Sequence, residues 1–218
     1  MTMPNYERLL SDQFSRLEIA QNHQNTIKFY LELLKEKDNY TYEHSIRVGI
    51  LGARIAEYKS FDPKALFFPG IFHDIGKIFV NPDILRKKKE LNDAEWIEIK
   101  NHPIHAYIIL KPIHSFSAEV VLRHHRYQEN GYPDKIPEFQ TKFSAETRLD
   151  IDAYARLVVL ADFYDAINTR ENEKYGSKKL SGDEVKSTLL EKNPYHRELI
   201  EELYCVGIFV KNSGPGEI

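Results

Sequence analysis

Residues Phe72-His73-Asp74-Ile75-Gly76-Lys77-Ile78 set an imidazole beside a carboxylate, with an ammonium group three residues on. The surrounding segment is otherwise apolar, running from Leu66-Phe67-Phe68 to Ile75 and Ile78. Burying two polar side chains without hydrogen bonds or a metal is expensive, so a fold that buries this stretch has to deliver partners to it. Neighbouring residues on a helix point about 100° apart. His73 and Asp74 therefore meet a common partner only where backbone and rotamers are arranged for it.

Apolar residues recur at spacings of three and four along most of the chain, which is the helical period. Tyr6, Leu9, Leu10, Phe14 and Leu17 predict an amphipathic helix within residues 4–22, and Ile27, Tyr30, Leu33 and Leu34 predict another reaching about Lys37, where Asp38-Asn39 reads as a turn. His23, in the polar junction between them, is expected to be exposed. From Thr41 to Lys59 the stripe is Val48, Leu51 and Ile55, and His44 joins it four residues before Val48. Taken alone, His44 reads as a core histidine satisfied by one hydrogen bond before it reads as a ligand. Asp62 is expected as an N-cap with Pro63 in the first turn, opening the helix that runs into His73-Asp74. Phe79 to Asp83 reads as a loop, followed by the basic run Arg86-Lys87-Lys88-Lys89, a solvated surface or a funnel for phosphate.

Asn92 or Asp93 is expected to cap a helix with Trp96 and Ile99 on its apolar face, ended by His102-Pro103. A short apolar helix follows over 104–110, and another from Ser117 delivers His124 and His125 at its end. His105 and His114 are read as structural or exposed. Arg126 to Phe143 is irregular and contains Gly131-Tyr132-Pro133. The most apolar helix spans Arg156 to Ile167, with Asp162 and Asp165 embedded in it, and polar, lysine-rich residues 168–179 read as a surface loop. Ser181-x-x-Glu184 reads as a capping box, Pro194 to Val206 as a last helix, and the tail from 211 to 218 as disordered. With no run of alternating strands and no repeat, the fold class is all-α.

The 218 residues suffice for one sizeable core. A net charge of −3 argues against a nucleic-acid polymer as partner, and no apolar run is long enough for a membrane span. The lone cysteine, Cys205, excludes an intrachain disulfide and suits a cytoplasmic setting. The histidines are more telling, since six of the nine fall between His73 and His125. His44, His73, Asp74, His102, His124, His125 and Asp162 form a set of nitrogen and carboxylate donors that suits iron, manganese, zinc or nickel. The set lacks the thiolates of a cysteine-based zinc cage. Seven ligands exceed what one ion with an open position uses, so two ions are expected, with Asp74 as the natural bridge.

The order of these pieces resembles the HD-domain metal-dependent phosphohydrolases, in particular the HD-GYP cyclic di-GMP phosphodiesterases. The matching segments are His44-Ser45-Ile46-Arg47-Val48, His73-Asp74-Ile75-Gly76-Lys77-Ile78, Leu91 through Glu95-Trp96 to His102-Pro103, His124-His125 with Gly131-Tyr132-Pro133, and Ala161-Asp162-Phe163-Tyr164-Asp165-Ala166. The resemblance implies an HD-domain helical bundle over residues 39–210, with additional N-terminal helices in 1–38 packing on it. It implies a centre of two divalent ions, iron or manganese first, with zinc, nickel or magnesium permitted, held by the seven donors. Asp74 and Lys77 would be catalytic, a metal-bridging hydroxide would attack phosphorus, and Lys77 would contact the scissile phosphate. Gly131, Tyr132, Pro133, Lys87 and Arg170 join Lys77 as expected substrate contacts. Asp165 and Arg47 are either supports that orient the ligands or ordinary salt-bridge partners.

Several positions depart from the family pattern. Tyr40 stands where trinuclear members carry a glutamate, which favours two ions. The loop after His125 is one residue short, with Arg126 in place of a glutamate, and residues 168–175 diverge. The resemblance implies a cyclic dinucleotide, most plausibly cyclic di-GMP, as substrate, with no membrane partner and a homodimer allowed, whereas these departures fall on the substrate side and leave the identity of the nucleotide open. The alternatives are a broader phosphohydrolase acting on mononucleotides or other phosphoesters, and a metal-bearing receptor that binds a nucleotide without turnover.

Overall fold

The structure, a computed structural model, describes residues 5–136, 142–169 and 179–210. Among these the chain is all helical: α1 (Tyr6–Arg16), α2 (Gln21–Lys37), α3 (Asn39–Tyr58), α4 (Pro63–Phe72), α5 (Pro82–Leu85), α6 (Asp93–Lys100), α7 (His102–Leu110), α8 (Ser115–Arg123), α9 (Ala145–Thr169), α10 (Gly182–Lys192) and α11 (Arg197–Cys205). Short 3-10 helices cover Ile75–Phe79 and Pro194–His196. The helix starts follow from their caps. Asp62 accepts from the Lys64 N–H ahead of Pro63, and Asn92 with Glu95, like Ser181 with Glu184, forms a reciprocal capping box.

Helix α3 is the axle of the bundle, packed against α4, α2, α9 and α1. Its His44, Val48, Leu51 and Ile55 stripe is buried as the spacing predicts, but so is the opposite face. Ile46, Ile50 and Ala53 join a core with Tyr6, Leu10, Phe14, Ile27, Leu31 and Phe67, while Val48, Leu51, Ile55 and Ala56 join a second core with Leu157, Val158 and Leu160. The helices of 1–38 thus share a core with α3 and α4. Close approach of α3 and α4 depends on Gly49 and Gly70. A Cβ on Gly70 would lie 2.9 Å from the Gly49 Cα and 3.0 Å from the Val48 carbonyl oxygen.

Some expectations are corrected. His23 is half-buried, with its ring edge-on to Phe68 at 5.5 Å. Residues 79–83, expected as a loop, close the first 3-10 helix and open α5. The helix expected from Arg156 begins eleven residues earlier, at Ala145, and the helix expected over 104–110 begins at His102, with Pro103 in its first turn. The expected disordered tail, 211–218, lies outside the described residues. No helix among the described residues is long and apolar enough to cross a membrane.

Candidate metal centre

Three of the candidate histidines stand at helix boundaries, where backbone carbonyls lack partners within the helix. His73 follows the last residue of α4 and donates from Nδ1 to the Gly70 carbonyl at 2.8 Å. His102, beyond the end of α6, donates to the Ile99 carbonyl at 2.8 Å. His124, at the end of α8, donates to the Val121 carbonyl at 2.6 Å. One local device is used three times: each ring satisfies a carbonyl three residues back. The proton is thereby fixed on Nδ1, which leaves Nε2 as a lone-pair donor. His125 is oriented by Gln128, whose Oε1 accepts from Nδ1 at 2.8 Å. His44 donates from Nδ1 to Asp165 Oδ2 at 2.6 Å.

The free nitrogens converge on two adjacent places. His44, His73 and Asp162 each offer one donor atom within 4.8 Å of the others, and so do His102, His124 and His125. All six residues and Asp74 are buried. Asp74 stands between the groups. Its Oδ2 is 3.4 Å from His73 Nε2 and 3.8 Å from His44 Nε2, while its Oδ1 is 3.4 Å from His102 Nε2. All seven predicted ligands are therefore brought together. His105 and His114 belong to neither group, and His114 instead caps α8 by accepting from the Ser117 N–H. Cys205 is exposed.

The unpartnered atoms mark where a cation fits. Asp74 Oδ1, His102 Nε2 and His124 Nε2 are buried without a hydrogen bond, although buried polar groups are nearly always paired. In the other group, His73 Nε2 lies 3.2 Å from His44 Nε2, and His44 Nε2 lies 3.0 Å from Asp162 Oδ1. Lone pairs at such distances need a proton or a cation between them. The nitrogen and carboxylate donors suit a hard or borderline divalent ion.

Charge is distributed to match. Burial works against the ionised forms of Asp74 and Asp162. The Lys77 ammonium and His73 nevertheless hold the Asp74 carboxyl well below its usual range, and His44 does so for Asp162. Burial keeps His102 and His124 neutral, with His125 adding to the effect at both, so their nitrogens are ready to bind a cation. Burial also lowers His44, but hydrogen bonds to Asp162 and Asp165 outweigh it and raise the net value.

The predicted substrate contacts have mixed placements. Lys77 Nζ lies 2.5 Å from Asp74 Oδ2 at the edge of the centre. Tyr132 stacks on His125, with ring centroids 4.5 Å apart, and Gly131 and Pro133 flank it in the turn. Lys87 is committed elsewhere, donating to both Glu95 carboxylate oxygens at 2.8 and 2.6 Å. Arg170 lies outside the described residues. Arg47 and Asp165 lie behind His44: Arg47 donates to both Asp165 oxygens, from Nε at 2.8 Å and Nη2 at 3.0 Å, and Asp165 accepts from His44. Gln128 was not singled out from sequence; its only signal is its spacing of three from His125.

Comparison with known proteins places this geometry. The HD domain family matches residues 41–167, more than half of the chain. The chain is 34% identical over 150 residues to the cyclic di-GMP phosphodiesterase PA4108 of Pseudomonas aeruginosa, a match covering 66% of this chain and 34% of that protein. It is 31% identical over 214 residues to a cyclic di-GMP phosphodiesterase of Thermotoga maritima, covering 86% and 55%. The chain thus spans about a third to about half the length of these curated relatives. The crystal structure of the L. monocytogenes phosphodiesterase PgpH HD domain superposes with a TM-score of 0.51 at 16% identity, covering 85% of this chain and 88% of that one. Its likeness is one of fold. With the family match extending from Thr41 in α3 to Ile167 in α9, and so across both donor groups, the chain belongs to the HD domain family.

Proposed function

We propose that this chain is a metal-dependent phosphodiesterase of the HD-GYP type that opens a cyclic dinucleotide, with cyclic di-GMP as the first candidate. The observation that carries this reading is the pair of buried donor groups with one Asp74 oxygen turned towards each. His44, His73 and Asp162 would hold one divalent ion, His102, His124 and His125 the other, and Asp74 would contact both. Iron or manganese is the expected metal. Bound there, the ions supply Lewis acidity, lowering the pKa of the water that attacks phosphorus and offsetting phosphate charge.

The protein's own groups do the rest. The Nδ1 hydrogen bonds fix five imidazoles in one tautomer and orientation, so little reorganisation is left for the reaction. Lys77, at the rim, is placed to neutralise charge growing on a phosphate oxygen. The Tyr132 ring on His125 offers an apolar wall for a base or ribose. Attack by water breaks one phosphorus–oxygen bond, giving a linear dinucleotide with a terminal phosphate and a freed hydroxyl. No covalent enzyme intermediate is needed.

The cyclic di-GMP named for the two curated relatives supports the substrate class. The test is to incubate protein loaded with Mn(II), or anaerobically with Fe(II), with cyclic di-GMP, cyclic GMP-AMP and a generic phosphodiester. Faster hydrolysis of a cyclic dinucleotide is the expected result. Equal turnover of the generic ester would favour a broader phosphohydrolase, and tight binding without turnover under both metals would make the chain a receptor.

A further inference from the structure

We infer that Tyr6, on the N-terminal helix and outside the residues that match the HD family, is a positioning residue for His44. The inference rests on reading His44 as a metal ligand and adds a part that lies outside the bundle's own metal groups. The Tyr6 hydroxyl accepts from Arg47 Nη1 at 2.8 Å. Arg47 Nε and Nη2 donate to the two oxygens of Asp165, and Asp165 Oδ2 accepts from His44 Nδ1 at 2.6 Å. Four residues thus form one line of hydrogen bonds from α1, through α3 and α9, to a nitrogen of the metal group. Every member is buried.

The tyrosine does more than end the line. A buried guanidinium has five N–H donors in a fixed fork, and Asp165 uses only one edge of it. Beyond Asp165, Thr169 Oγ1 accepts from Nη2 at 3.5 Å and Glu43 lies 3.8 Å from Nη1, so the Tyr6 hydroxyl at 2.8 Å is the nearest acceptor holding the Nη1 edge of the fork. The Tyr6 ring lies 5.6 Å from the guanidinium carbon, and Tyr40 faces it at 5.9 Å. Tyr40 also lies nearly parallel to His44, at 5.8 Å and 11°. Two tyrosine rings, one from α1 and one from α3, thus lie within 6 Å of the guanidinium. An arginine left free to swing would release one Asp165 oxygen, and the carboxylate that sets the His44 ring plane would lose its own orientation.

Tyr6→Phe removes the hydroxyl and keeps the ring. Mn(II) affinity is measured in a His124→Ala/His125→Ala background, which retains the His44, His73 and Asp162 donors. Affinity there should fall about three- to tenfold, less than the 10- to 100-fold typical of a group touching the ligand directly. In the otherwise unaltered metal-free chain, the imidazole N–H resonance of His44 should exchange faster in the variant, while those of His73, His102 and His124 stay unchanged. Leu10→Ala, a core change on the same helix face, is the packing control and should lower Tm without moving either readout. Unchanged His44 exchange in Tyr6→Phe overturns the inference. So does an equal loss of affinity or protection in Leu10→Ala. Failure of the unaltered chain to bind Mn(II) would sink the metal reading itself, and the exchange measurement on metal-free protein separates that outcome from a failure of the Tyr6 inference.

Discussion

Asp74 Oδ1 and His102 Nε2 face each other at 3.4 Å in the buried interior, and neither atom makes a hydrogen bond. The other oxygen of Asp74 lies at 3.4 Å from His73 Nε2. In the proposed two-ion site, a carboxylate with one oxygen towards each donor group would link the two groups into one centre. Asp74→Ala removes it while leaving six donors in place. The variant should lose bound metal, by elemental analysis, and should lose hydrolysis. Retention of two ions per chain would contradict the bridging role.

That facing pair depends on a glycine two residues beyond Asp74. A Cβ on Gly76 would lie 1.9 Å from the His102 carbonyl oxygen and 2.8 Å from the Ala106 backbone nitrogen. Both neighbours are backbone and neither can rotate away. Gly76→Ala must therefore push the 3-10 helix off the first turns of α7, carrying His102 away from Asp74. Overpacking of this kind costs about 1–3 kcal/mol, so Tm should fall while the helical circular dichroism remains. Metal content should fall with it. A variant with lower Tm and full metal content would show that the contact is structural alone.

The contrast between Asp74 and Gly76 shows where the sequence is legible. His44, His73, Asp74, His102, His124, His125 and Asp162 could be gathered because metal-binding side chains carry their chemistry in the residue type, and the helical period places them. Gly76 was visible only as part of a motif, since its contact with His102 is between backbones 26 residues apart and leaves no trace in periodicity. The second buried face of α3 was missed for a related reason: Ile46, Ile50 and Ala53 sit at ordinary helical spacing, and only tertiary packing decides that both faces are covered. The charge of Lys87 points to a phosphate contact, yet Glu95, fixed in a capping box, neutralises it. The polar sequence neighbours of His23 point to exposure, while Phe68 meets it in space.

Acid should destabilise the metal-free protein well above the range where carboxylates titrate. Burial lowers His102, His124 and His125, and it lowers His114 and His196 as well. In the unfolded chain these residues take up protons near pH 6.5, and in the folded one they do so only at lower pH. The unfolded state then binds more protons, so stability falls as pH drops below about 6.5, by up to about 1.4 kcal/mol per pH unit for each of the fully buried His102, His124 and His125, and by less for His114 and His196, which solvent partly screens. His44 opposes this. Its raised value adds stability below about pH 6.5 that is lost as pH rises through its folded pKa. Five groups against one leave a net loss, and Tm of metal-free protein should drop by at least about 5 °C between pH 7 and 5.5. A flat or rising Tm over that interval would mean the histidines are not held neutral.

Lys77 separates chemistry from metal binding. Its ammonium lies 2.5 Å from Asp74 Oδ2 and is the leading favourable influence on that carboxylate's ionisation. A cation approaching Oδ2 meets this charge, so removing it should not weaken metal binding and is expected to strengthen it. In the proposed phosphodiesterase the same charge would meet an oxygen of the scissile phosphate, and losing such a contact typically costs about 100- to 1,000-fold in kcat. Lys77→Ala should therefore keep its metal, bind Mn(II) at least as tightly as the unaltered chain, and show a reduced kcat with a smaller change in KM. Loss of metal together with turnover would place Lys77 in the support of Asp74, with no direct role at the phosphate.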